Sequence, residues 1–192
     1  MAFPTDTVYG LGCDPHNPKA ISRILTVKDR RTKALPILVA SPALAGKIAV
    51  MDNRAKALAS RFWPGPLTMV LRPKVRFPRS LTMGQKTIAV RCPRNRIALL
   101  LIEKCGGFLT GTSANLAGLP PCTSANMVRR CLGDRIDAVV DGGRSPRRTG
   151  STIVRLSSRR MTVLRKGPVS RTQVRKALSG ADSLRKGTPR MG

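Results

Sequence analysis

The period of apolar and polar positions changes several times along the chain, and each change marks an element. Leu35–Val39, Leu67–Leu71, Thr87–Arg91 and Phe108–Thr110 are short apolar runs bounded by Pro, Gly or polar residues, the pattern of buried strands. Between them the spacing is helical. Ile21, Ile24 and Leu25 follow Asn17-Pro18, Ala55, Leu58 and Phe62 follow Asp52, and Ile97, Leu100, Leu101 and Ile102 follow Asn95. Asn and Asp suit the N-cap and Pro suits the first helical position, so these residues, with Ser41-Pro42, predict helix starts. Trp63-Pro64-Gly65-Pro66 predicts an abrupt stop. Thr123 is expected to cap a later helix that contains Ser124-Ala125-Asn126, and Ala138–Asp141 is expected to be a short strand ending in Gly142-Gly143. Ser151–Val154 and Met161–Arg165 alternate as a hairpin does, and Arg171–Leu178 predicts a last helix. Strands and helices interleave without repeats, which places the chain in the α/β class. Residues 1–179 read as one domain, and residues 180–192 as a basic, disordered tail.

Two polar stretches interrupt this pattern. Phe3-Pro4-Thr5-Asp6-Thr7-Val8-Tyr9-Gly10-Leu11-Gly12 is too polar for a core strand, and extended backbone would put Thr5 and Thr7 on one face. Gly111-Thr112-Ser113-Ala114-Asn115 follows the Phe108–Thr110 run, and in open α/β sheets ligands bind beyond strand ends. Ser and Asn offer donors and acceptors without charge, so this stretch is expected to serve a ligand more than the fold. A plain turn is the alternative, because the same residues make turns.

Charge adds a further constraint. The 192 residues carry 36 Lys and Arg against 9 Asp and Glu, a formal charge of +27, which attracts polyanions unless it only solvates the surface. From Arg144 onward there are 14 Lys and Arg and a single acid, Asp182. No apolar run approaches the roughly 18 residues of a membrane helix, and the start lacks a signal-peptide pattern. Five cysteines form no CxxC pair, and a lone His16 makes a zinc site improbable, so the chain reads as a reduced, cytoplasmic protein. There is no P-loop, no GxGxxG and no GxSxG, and the scattered acids suggest no carboxylate pair. What remains is Lys, Arg, Ser, Thr and Asn near strand ends. Such residues bind phosphate, carboxylate and base edges, and they catalyse by positioning reactants and stabilising charge. The cations of Lys28-Asp29-Arg30-Arg31-Thr32-Lys33 suit either a solvated helix end or a phosphate clamp.

Seven blocks now stand in order: PTDTVYGLG at Pro4–Gly12, KxR at Lys28–Arg30, WPGPLT at Trp63–Thr68, TIAVRCP at Thr87–Pro93, TSAN at Thr112–Asn115, STI at Ser151–Ile153 and LRKG at Leu164–Gly167. This series resembles the YrdC/TsaC family of threonylcarbamoyl-AMP synthases from about Phe3 to Gly167. The resemblance implies a single-domain, twisted, open mixed sheet with flanking helices and a basic concave cavity. It also implies a reaction in which L-threonine, bicarbonate and ATP give threonylcarbamoyl-adenylate and pyrophosphate. The product serves N6-threonylcarbamoylation of tRNA through a downstream transferase, and Mg²⁺ is expected to accompany ATP.

By resemblance, Thr7, Arg91, Ser113 and Ser151 are expected to contact threonine, with Arg91 on its carboxylate. Lys28, Arg30, Thr87, Asn115, Thr123 and Arg165 are expected to contact the nucleotide, and Lys28, Arg30, Ser113 and Asn115 to carry the catalysis. Three features depart from the pattern. Only Met1-Ala2-Phe3 precede the first block, where the family has a helix and most of a strand, so a truncated start is expected. Ala40 stands where some members have histidine, and the longer members' second domain has no room here. The alternative class is a non-catalytic RNA-binding protein on the same fold. A basic ribosome-associated protein is a third reading. A membrane partner is not expected.

Overall fold

A computed structural model describes the backbone of residues 1–29, 33–157 and 160–183, and side chains up to residue 179. The elements follow in order: β1 (Ala2–Phe3), β2 (Gly10–Leu11), α1 (Pro18–Val27), β3 (Ile37–Val39), α2 (Pro42–Ile48), α3 (Asn53–Phe62), β4 (Leu67–Leu71), α4 (Arg79–Thr82), β5 (Ile88–Arg91), α5 (Arg96–Lys104), β6 (Phe108–Thr110), β7 (Thr112–Ser113), α6 (Ala125–Leu132), β8 (Thr152–Leu156), β9 (Met161–Arg165) and α7 (Arg171–Ser183). Six strands form a mixed sheet in the order β6-β3-β5-β4-β8-β9, and three short ones form a second sheet, β1-β2-β7. The fold is therefore the mixed α/β arrangement expected.

The caps explain where most helices begin. Asn17 Oδ1 accepts from Ala20 N at 3.1 Å, Asp52 Oδ1 from Ala55 N at 2.8 Å, and Asn95 Oδ1 from Ala98 N at 3.0 Å. Each satisfies a backbone donor that the first turn would leave without a partner. One cap differs from expectation. Ser124, not Thr123, caps α6, its hydroxyl accepting from Met127 N at 3.3 Å, while Thr123 is buried with its hydroxyl on the Met127 sulfur. The second Ser-Ala-Asn thus has a structural use. In α5, Ala98 and Ile102 face inward one turn apart, and Leu100, on the opposite side of that turn, is 49% exposed. The last helix continues past Leu178 to Ser183, and residues 184–192 of the expected tail lie outside the described residues.

Residues 138–141 do not form a strand. They meet β1 through one parallel bridge, Ala2 with Val139, held by Ala2 N to Ala138 O at 2.8 Å and Val140 N to Ala2 O at 2.9 Å. The opening stretch is buried in spite of its polarity. Phe3, Thr5, Thr7 and Tyr9 are all 4% exposed or less, because the two sheets and residues 142–147 enclose it. Tyr9 Oη donates to Gly143 O at 2.7 Å, Ser145 Oγ to Thr5 O at 3.2 Å, and Arg147 N to Thr7 O at 3.1 Å.

Strand alternation then separates two faces of the large sheet. Ile37, Val39, Met69, Val90 and Val154 join the main core with Ile21, Ile24, Leu58, Val174 and Leu178 of the helices. A smaller cluster joins Phe3, Leu38, Ala98, Ile102 and Leu109. The intervening positions, Leu38, Thr68, Val70, Ala89, Arg91, Ile153 and Arg155, line a cavity.

Candidate functional site

The cavity has a volume of about 340 Å³. Its floor is the face of β3, β4, β5 and β8, and its walls are the Thr5–Gly10 segment, residues 111–113 and the end of β9. Gly111 permits the close approach of one wall, since a Cβ there would lie 2.4 Å from Leu38 Cγ. The β8–β9 register is irregular between Ile153 and Val154, so Arg165, not Leu164, stands opposite Ile153. A bulge re-aims side chains in this way, and both Leu164 and Arg165 line the cavity. Gly150 leaves space for the Arg165 guanidinium, whose Nη2 would come within 2.8 Å of a Cβ.

The buried part of the lining is rich in hydroxyls. Thr5 Oγ1 donates to Val8 O at 2.7 Å, accepts from Thr7 N at 3.1 Å, and lies 3.0 Å from Thr7 Oγ1. Thr68 Oγ1 and Ser151 Oγ are 2.7 Å apart, and Arg165 Nη2 donates to Ser151 Oγ at 3.1 Å. Arg91 is 6% exposed. Its Nε donates to Gly65 O at 3.0 Å, its Nη1 to Thr7 Oγ1 at 3.1 Å, and its Nη2 forms a short ion pair with Asp6 Oδ1, which also accepts from Arg94 N at 3.0 Å. Burial lowers the Arg91 pKa, and the Asp6 carboxylate opposes that shift by favouring the charged form. Among the described residues, three of the five guanidinium N–H groups have partners within the chain.

The rim carries a different kind of charge. Lys33 and Arg155 line the cavity and are exposed, and Arg165 is exposed while bonded to Ser151. Among the described residues no ion pair involves Lys33 or Arg155. Among the described residues no Asp, Glu, His or Cys lines the cavity, and no cluster of such groups suits a metal ion.

The expected site residues divide into three sets. Thr7, Thr87, Arg91, Ser113, Ser151 and Arg165 line the cavity together. Lys28, Asn115 and Thr123 do not line it. Arg30 lies outside the described residues. Lys28 is 5% exposed at the end of α1. Its Nζ donates to Ser113 O at 2.7 Å, Asn115 O at 2.5 Å and Asn115 Oδ1 at 2.8 Å, while Asn115 Nδ2 donates to Leu119 O. At Asn115 the Ser113–Asn115 stretch also serves the fold. One N–H of the Asn115 amide donates to Leu119 O and its amide oxygen accepts from Lys28, whereas Ser113 lines the cavity. A buried ammonium needs partners on every side, and this loop supplies them.

The sequence reading missed Asp6, Thr5, Thr68 and Arg155. Asp6 and Thr5 lie inside the first block quoted. Thr68 is the polar residue in the otherwise apolar run Leu67–Leu71, and Arg155 is a cation within the alternation of β8. Thr68 and Arg155 are polar residues at strand positions whose neighbours are apolar, which is the signal that would have found them.

Fold and cavity together define a class: a mixed α/β protein with an open cavity, hydroxyls in its lining and cations on its rim. Residues 1–167 match the family described as Sua5/YciO/YrdC, telomere recombination. The chain belongs to that family. It is 38% identical over 183 residues to the threonylcarbamoyl-AMP synthase of Pyrococcus abyssi, covering 93% of this chain and 53% of that protein. It is 40% identical over 144 residues to the threonylcarbamoyl-AMP synthase of Halorhodospira halophila, covering 74% of this chain and 75% of that protein. The crystal structure of P. abyssi Sua5 complexed with L-threonine superposes with a TM-score of 0.88 at 38% identity, over 92% of this chain and 53% of that one. The chain thus spans about half the length of the Pyrococcus relative. Among the described residues no helix is long and apolar enough to cross a membrane.

Proposed function

We propose that this chain is a threonylcarbamoyl-AMP synthase, a nucleotidyltransferase that joins L-threonine, bicarbonate and ATP. The observation that carries the reading is the division of the cavity. A hydroxyl-rich lining with a neutralised guanidinium suits a small zwitterion, and a rim of cations suits phosphates. Threonine would present its carboxylate to Arg91 and its hydroxyl to Thr7, Ser113 or Ser151. Arg165, Lys33, Arg155 and Thr87 would hold the nucleotide. Lys28 and Asn115 would act as positioning residues that fix the loop carrying Ser113.

The chemistry asks little more of the protein. The threonine amine adds to bicarbonate with loss of water to give a carbamate. A carbamate oxygen then attacks the α-phosphorus of ATP, the bond from that phosphorus to the α,β-bridging oxygen breaks, and pyrophosphate leaves. Arg91 would orient the amino acid for the attack, and the rim cations would stabilise charge as it moves to the leaving group. The described residues of the cavity lining include no carboxylate or imidazole, and phosphates and water would hold the Mg²⁺ that comes with ATP. By the same reading the adenylate passes to a transferase acting on tRNA.

The test is threonine-dependent release of pyrophosphate by the purified chain with ATP, bicarbonate and Mg²⁺. Release that needs threonine supports the reading. Release that ignores threonine, or a failure to bind threonine in calorimetry, overturns it.

A further inference from the structure

Thr68 of β4 and Ser151, just before β8, share a hydrogen bond that limits what each can offer a ligand. Both line the cavity and are buried, at 2% and 3% exposure. Their hydroxyl oxygens lie 2.7 Å apart, and either can be the donor. Ser151 Oγ also accepts from Arg165 Nη2 at 3.1 Å, and Arg165 Nε donates to Ser151 O at 2.9 Å. Among the described residues the two hydroxyls have no other partner. The backbone that carries Ser151 is fixed by its neighbour. Thr152 N donates to Pro66 O at 2.9 Å, and Thr152 Oγ1 donates to Val169 O at 2.8 Å while accepting from Val169 N at 3.0 Å.

The pair holds two hydroxyl protons, and one of them lies between the two oxygens. If Thr68 donates, Ser151 Oγ accepts from both Thr68 and Arg165, its two lone pairs are filled, and its own proton is left for the cavity. If Ser151 donates, the proton left over is that of Thr68. Either way the pair turns one O–H toward a ligand, with the Arg165 guanidinium behind it. Bonds in such a chain polarise one another, so the outer O–H is a stronger donor than a lone hydroxyl. A donor of this kind, set in place beforehand, favours an anionic oxygen over the neutral hydroxyl of an amino acid.

The sheet register says where that oxygen lies. Met69 is opposite Val90 in the antiparallel β4–β5 pair, so Thr68 stands across from Arg91, and Ile153 of β8 is opposite Thr68 on its other side. Thr68 therefore sits between the buried Arg91 guanidinium and the strand that Ser151 begins.

We propose that Thr68 and Ser151 work as one hydrogen-bond donor, polarised by Arg165, for the carboxylate of the amino-acid substrate, next to Arg91. This rests on the assignment of the cavity to threonine, and it leaves the threonine hydroxyl to Thr7 or Ser113.

The experiment measures L-threonine binding to the full chain by calorimetry without ATP, beside Thr68→Val, Thr68→Ser, Ser151→Ala and Thr68→Val/Ser151→Ala. Thr68→Val keeps the side-chain shape without the hydroxyl and should weaken threonine binding about tenfold, the size of one hydrogen bond to a charged group. Thr68→Ser returns the hydroxyl and should restore most of the affinity. Ser151→Ala should lose about as much as Thr68→Val, and the double variant little more than either, because the two hydroxyls supply one donor between them. In steady-state assays Thr68→Val should raise KM for threonine and leave KM for ATP unchanged. Full threonine affinity in Thr68→Val, with or without a lower urea midpoint, overturns the proposal. So does a double variant much weaker than either single one, or a Thr68→Ser protein no better than Thr68→Val. A parent protein that binds no threonine overturns the cavity reading and this proposal together, whereas failure of the variants alone leaves the cavity reading standing.

Discussion

Two groups of cations stand in or near the cavity and behave in opposite ways. Lys28 and Arg91 are buried, and every bond described for their charged groups runs to the chain itself. Lys33 and Arg155 stand exposed on the rim. Both groups look alike in sequence, as basic residues near strand or helix ends. The difference lies in desolvation. A buried cation must be compensated by its own fold before a ligand arrives, whereas an exposed one stays solvated and can exchange water for phosphate. The inner pair therefore builds the site, and the outer pair is free to serve its contents.

Breaking the compensation of Arg91 should have the largest effect. Asp6→Ala leaves a guanidinium buried beside hydroxyls without its counter-charge. Loss of one partner of a buried pair costs about 3–5 kcal/mol, so this variant should show a marked fall in urea midpoint and weaker threonine binding. A midpoint close to that of the parent protein would mean that the Asp6–Arg91 contact contributes nothing to the fold. Next comes the loop tie. Asn115→Ala removes the Oδ1 acceptor of Lys28 and the donor to Leu119 O, and should destabilise the ligand-free protein by about 1–3 kcal/mol. Equilibrium denaturation without ligand measures this. Unchanged stability with a loss confined to nucleotide binding would move Asn115 from the first group to the second. The rim should show the smallest effect on stability. Arg155→Ala should leave the melting curve within about 0.5 kcal/mol of the parent, while the apparent affinity for ATP falls by about tenfold, the size of one lost charge-assisted hydrogen bond. Loss of stability there would erase the contrast between rim and floor.

The thiols repeat that contrast in a neutral group. Cys92 and Cys122 are buried, and desolvation pushes each pKa up to about 11, so both stay protonated where the exposed Cys105 is the accessible thiol.

Much of the architecture was legible from single residues. Asn17, Asp52 and Asn95 announce their helices because a cap acts on donors two or three residues away, and a short range is what sequence spacing displays. The hairpin of β8 and β9 was legible for the same reason, as was the interleaving that makes the chain α/β. Ordered motifs carried the family, because seven blocks in one order seldom arise together. The cap at Ser124 was missed because Thr123 and Ser124 are chemically alike, and only the packing of Thr123 against Met127 decides between them.

By itself, then, the sequence determined the elements, their class and the kind of chemistry available: hydroxyls and cations, with few carboxylates. The tertiary structure decided which of those groups face a ligand. Arg91 meets Asp6 across 85 positions and Lys28 meets Asn115 across 87, and no local pattern encodes such distances. Arg165 reaches the cavity because a register shift in one strand pair turns it there, and Lys28 stays out because a loop from the far half of the chain surrounds its ammonium. Charge is written in the residue, but its use depends on how much water the fold leaves around it, and that is set by every element packed nearby.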